Sequence, residues 1–297
     1  MLDFIREYQL DIMLVLIGIC GITTFFVMIS GTLSRSRKRA LLLVELYSTI
    51  LLTSDRFAYT FRGDASELGY WMVRISNYLV FCMTLAITHA INLYTYDILM
   101  NEGGLKKAPA RTMFSEFLFF IGQVLLIISQ FTGLYYSFDE TNHYIRSPLF
   151  LISYIIPTII MLIQLSLIIQ YHSSLRKLMA YPLILFLTVP LIAAFIQFFT
   201  YGISLINMSI VGMAVILFAL VLLDMNVTVE RSHRLEIEYL KDQQQRVQRL
   251  FEQTATALVN AMGIYIKNVT ALEEDDTKDL YAVLSGDQVA LTNIKLS

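Results

Sequence analysis

The residues best able to do chemistry in this sequence are ionisable groups set inside apolar runs. Asp55 and Arg56 lie near the end of one such run, and Arg74 and Asn77 near the start of the next. An ionised side chain at the centre of a bilayer costs on the order of a few kcal/mol, so these groups should face other helices or water. At helical spacing, Glu45, Ser48, Thr49 and Arg56 fall within an arc of about 100°, with Asp55 at its margin. On the following run Arg74, Asn77, Thr84, Thr88, Asn92 and Thr95 share an arc of about 80°. Two polar stripes should therefore turn inward, toward each other. If the first of these segments runs outward and the second returns, Asp55 and Arg74 share a depth near the outer side, and an ion pair between them is expected. Two readings of Asp55, Arg56, Arg74 and Asn77 stay open: adhesion between helices by satisfied polar groups, or one wall of an outward-facing pocket for an unknown small ligand. Gln123, Gln130, Gln164 and Gln197 add interhelical hydrogen-bonding capacity.

Other chemistry lacks its residues. His89, His143, His172 and His233 are scattered over different segments with no recurring carboxylate at ligand spacing, so no metal site is expected. Cys20 and Cys82 each sit inside an apolar run, which suggests neither a disulfide framework nor a thiolate site. The sequence has no Gly-x-x-x-x-Gly-Lys phosphate loop, no Gly-x-Ser-x-Gly elbow and no Gly-Gly-Asp-Glu-Phe segment. No cofactor follows, and the chain reads as a non-enzyme. A net charge of −2 gives no global attraction to nucleic acid.

The elements that must position these residues are membrane spans. Hydrophobic residues make up 56% of the 297 positions and charged residues 15%, with a mean hydropathy of +0.62, more than a soluble chain of this length needs for its core. The apolar runs are long enough to cross a hydrocarbon layer of about 30 Å. An all-α polytopic fold with about seven transmembrane helices is expected, near 11–31, 40–61, 70–98, 112–136, 149–171, 180–201 and 205–224, with a tight turn at Gly202 between the last two. The first run lacks the small-residue cleavage pattern of a signal peptide and reads as an uncleaved span.

Loop charge sets the orientation, because Lys and Arg resist translocation. Arg35, Arg37, Lys38 and Arg39, then Lys106, Lys107 and Arg111, then Arg176 and Lys177, all fall on one side. The other side has Arg6, Arg62 and Arg146, accompanied by Asp64, Glu67, Asp139 and Glu140. The basic side is expected to be cytoplasmic, placing the N-terminus outside the cell membrane and the C-terminus in the cytoplasm. Tyr70, Trp71, Tyr135, Tyr136, Tyr144 and Tyr154 fall near the outer boundary, where aromatic rings with a polar edge are favoured.

From Val227 onward, helix formers and dense charge replace the apolar run. Steps of seven from His233 reach Leu240, Val247 and Thr254, with Leu250 among the interleaved positions, an imperfect heptad seam. Three regions follow: a membrane domain over 1–224, a cytoplasmic signalling helix or coiled coil over 225–262, and an acidic tail over 263–297. The alternative for the second is a lone amphipathic helix on the bilayer surface. The tail, with Glu273, Glu274, Asp275 and Asp276, is too short for an independent core without staples.

The stretch from ALLLVELYSTILLTSDRFAYTFRGD to GYWMVRISN, residues 40–77, resembles the seven-helix sensory region that precedes cytoplasmic output domains in clostridial-type bacterial signalling proteins. LFEQTATALVNA at 250–261 resembles the opening of the metal-dependent HD-GYP cyclic-di-GMP phosphodiesterase domain. No histidine follows His233, so the resemblance stops before any metal ligand, and it implies a truncated or degenerate output domain. The implied function is a membrane-embedded sensory or signal-transducing module, forming a homodimer or a heterodimer with related signalling proteins. A small-solute transporter or channel subunit is the alternative.

Overall fold

A computed structural model describes residues 2–31, 33–200, 202–268 and 284. Seven α-helices carry nearly all of its regular structure: α1 (Leu2–Ile29), α2 (Arg35–Thr60), α3 (Glu67–Asn101), α4 (Ala110–Thr132), α5 (Ile152–Tyr171), α6 (Lys177–Phe199) and α7 (Leu205–Asn268). Between α4 and α5 a short antiparallel hairpin pairs β1 (Tyr136–Phe138) with β2 (Tyr144–Arg146). The fold is all-α and polytopic. Six of the helices are long and apolar enough to cross a membrane, and α2 is the exception. Its 26 residues have the length, roughly 39 Å at helical rise, but Glu45, Asp55 and Arg56 interrupt its apolar run. Those interruptions are explained by packing. α2 lies against α1 and α3, and Glu45, Ser48, Ser54 and Asp55 are all buried.

Local chemistry starts and stops the helices as expected. Ser34 and Ser66 cap α2 and α3, accepting hydrogen bonds from the amides of Arg37 and Gly69. Gly133, in the left-handed region, ends α4, and Gly202, with φ of 84°, turns the chain between α6 and α7. The main apolar core joins α2, α3, α5, α6 and α7 through such buried residues as Leu41, Ile91, Tyr94, Leu183, Ala214 and Leu217. A second cluster sets Met13 and Cys20 of α1 against Leu52, Met208 and Val211. Phe25, Phe117, Phe131 and Phe195 are exposed on the outward faces of α1, α4 and α6, surfaces suited to lipid.

Tyr70 and Trp71 are exposed, while Tyr135 and Tyr136 are buried, Tyr136 stacked on Phe81 and Tyr135 tilted against it. The expectation about ionic placement needs correction: the Asp55–Arg74 pair does not form. The Arg74 guanidinium lies 3.5 Å from the Tyr70 ring centroid and 4.7 Å from that of Phe138, and donates to Asn142 Oδ1 at 2.7 Å. Shared depth fixes height along two helices but not the direction in which each side chain points.

The chain divides into two units, Met1–Val227 and Thr228–Ser297. In the second, Leu240, Val247 and Leu250 are exposed, as are Ile237, Phe251 and Leu258. His233 and Thr254 are exposed as well; Thr254 donates to the Leu250 carbonyl. The acidic run 273–276 lies outside the described residues.

Candidate functional site

Asp55 stands near the end of α2, where the helix's polar stripe meets the start of α7. Its Oδ2 accepts hydrogen bonds from Ser204 Oγ and from Asn207 Nδ2, the latter at 2.9 Å. Ser204 immediately precedes α7 and Asn207 lies in its first turn, so one carboxylate oxygen ties α2 to the beginning of that helix. Gln197 near the end of α6 closes the same corner, its Oε1 accepting from the Ile206 amide at 2.8 Å.

Above this corner is a cavity of about 170 Å³. Asp55, Tyr59 and Arg62 approach it from α2 and the turn that follows; Asn77 and Thr84 from α3; Tyr154 and Pro157 from α5; Pro190 and Gln197 from α6; and Ser204 and Asn207 from the approach to α7. Arg146 and Phe150 bring in the hairpin side. The wall mixes aromatic rings with charged and hydrogen-bonding groups, a composition able to orient a polar small molecule. Proline cannot donate to the preceding turn, so Pro157 removes the usual amide partner of the Ser153 carbonyl, and Ser153 also lines the cavity.

Of the four expected polar residues, Asp55 and Asn77 line this cavity. Arg56 turns the other way, its Nε donating to the Leu10 carbonyl of α1 at 3.2 Å, and Arg74 is held in the loop layer. That layer is tightly tied: Asn142 donates to the Asp64 carbonyl at 3.0 Å, and the Gly63 amide donates to the Asn142 carbonyl at 3.3 Å. The backbone amide of His143 chiefly, with Thr141, holds the Asp139 carboxyl below the usual carboxylate range. Arg62, Arg146, Ser204 and Asn207 were not foreseen as site residues. Ser204 and Asn207, three apart just after Gly202, carried the only available sequence signal: two hydrogen-bonding side chains at helical spacing on entry to an apolar span.

A second polar centre lies at the opposite end of α2, eighteen residues or roughly 27 Å away along the helix. Arg37 Nε donates to Asp97 at 3.1 Å, and its terminal nitrogens reach Glu102 at 3.1 Å. Arg176, at the start of α6, bonds Glu102 at 2.9 Å and Asp224 of α7 at 3.1 Å. Burial disfavours the charged form of Glu102, but the guanidiniums of Arg176 and Arg37 outweigh it and hold its carboxyl below the usual range. This network links α2, α3, α6 and α7.

A third polar contact joins α1 to α2 in the interior. Glu45 Oε2 accepts from Thr23 Oγ1 at 2.7 Å and from Cys20 Sγ at 3.2 Å. Cys20 is therefore a core residue with a polar partner. Among the described residues, no group of three or more His, Cys, Asp or Glu side chains is arranged to hold a metal ion. In comparisons with known proteins, no family model, no curated protein and no solved structure matches the chain.

Proposed function

We propose that the chain is a membrane-embedded receptor module: a small molecule entering the cavity shifts the start of α7, and α7 carries the change out of the bilayer. The observation behind this reading is the hydrogen bonding of Asp55 to Ser204 and Asn207, because the cavity's buried carboxylate is anchored to the helix that runs on to Asn268. A ligand that competes for Asp55 acts directly on that helix. Allostery needs such a differential contact in two states, and the Arg37–Asp97–Glu102–Arg176–Asp224 network is the element that holds one of them at the other face.

In this reading α2 is a seventh span, its polar groups screened from lipid by α1 and α3. The basic residues mark the cytoplasmic face, with the N-terminus outside and Thr228–Asn268 inside as a signalling helix without chemistry of its own. This helix pairs with a second copy or with a related signalling protein along an apolar stripe that includes Leu240, Val247, Leu250, Phe251 and Leu258. The likeness of residues 40–77 to bacterial sensory regions points the same way. Single cysteines along 233–258 in native membranes test it: crosslinks recurring every three to four residues are expected, and well-expressed protein without any periodic crosslink overturns the paired receptor helix.

A further inference from the structure

The cavity has opposite charges at its two ends. At the floor, Asp55 is 6% exposed; its Oδ2 is occupied by Ser204 and Asn207, while Oδ1 has no hydrogen-bond partner among the described residues. At the rim, Arg62 follows the end of α2, is exposed to solvent, and makes no hydrogen bond or ion pair among the described residues. Arg146, its guanidinium 4.6 Å from the Phe150 ring centroid, lines the same rim. Tyr59, one helical turn after Asp55, lines the same cavity. A carboxylate shielded from water attracts a cation strongly. A ligand with one charge satisfies one end and desolvates the other without a partner, which is unfavourable.

We propose that the cavity binds a small zwitterion whose cationic end meets Asp55 and whose anionic end meets Arg62, with a short apolar spacer against Tyr59, Phe150 and Tyr154. The inference rests on the receptor reading of this cavity. Arg62 lies seven positions after Asp55 and two past the end of α2, so the two charges reach the cavity from different turns of the chain and call for a spacer between the ligand's charged groups. A linear ω-amino acid has such a spacer; an α-amino acid, whose ammonium and carboxylate groups share one carbon, does not.

The test is titration calorimetry of the full chain in lipid nanodiscs with δ-aminovalerate, valerate and pentylamine, which share a chain length and differ in charge. δ-Aminovalerate is expected to bind at least about tenfold more tightly than either singly charged probe. Arg62→Gln should abolish its advantage over pentylamine, and Asp55→Asn its advantage over valerate. Arg62 is exposed, so its variant reports on the ligand even if the Asp55 variant folds poorly. Equal binding of valerate or pentylamine by the unsubstituted protein, or no binding of any probe, overturns the zwitterion proposal. The crosslinking pattern along 233–258 is read without ligand, so the receptor reading stands or falls on that separate result.

Discussion

At the scale of single residues, the loop layer over the cavity depends on one backbone conformation. Gly63 has φ of 80°, and a Cβ placed there would meet His143 Nε2 at 2.9 Å. Two costs coincide, the left-handed backbone for an L-residue and the contact with the imidazole. Gly63→Ala is expected to lower stability by about 1–2 kcal/mol, measured by thermal unfolding of the purified protein. Adding His143→Ala should recover the contact portion and leave the backbone portion, so full recovery in the double variant would refute the backbone contribution. The polar stripes of α2 and α3 were legible residue by residue: Glu45, Ser48, Thr88, Asn92 and Thr95 are buried. What they meet was not, and the hydroxyls of Ser48 and Thr95 have no hydrogen-bond partner among the described residues. Glu45 bonds residues of α1, and Asn92 donates to the Thr112 carbonyl at the start of α4, because helical spacing predicts a face but not which neighbour it meets.

At the scale of elements, α7 is fastened at both ends of its membrane segment, by Asp55 at one and through Asp224 at the other. The lower fastening depends on pH. Glu102 has a depressed carboxyl pKa, so its contribution is fully present above the unfolded value of about 4.3 and is lost as pH falls below that toward the lower folded value. The unsubstituted protein should therefore be more stable than Glu102→Gln at pH 7, with the difference closing below about pH 4. Melting temperatures of the two proteins measured across this range check it, and a constant gap at all pH values would mean the carboxylate is not what the arginines require. The same elements show why α2 does not have the apolar composition of the other six helices. Its composition reads as amphipathic, and α1 and α3 pack beside it where those polar groups are buried.

At the scale of the whole molecule, the proposed orientation makes an accessibility prediction. In a Cys20→Ser, Cys82→Ser background, Thr141→Cys should react with a membrane-impermeant maleimide in intact cells, and Lys107→Cys only after permeabilisation; the reverse result would invert the topology. The sequence by itself determined an all-α polytopic chain, the approximate places of its apolar helices, the turn at Gly202 and the inward faces of α2 and α3. These are properties of local composition and helical period, which need no knowledge of neighbours. Tertiary structure decided the rest. It separated Asp55 from Arg74, brought Asp55 to Ser204 and Asn207 across about 150 residues of chain, and joined Arg37 to Asp97 and Glu102. Such pairings depend on the rotation of each helix about its own axis and on which helices become neighbours. Both are set by packing the whole bundle at once, which sequence spacing does not specify.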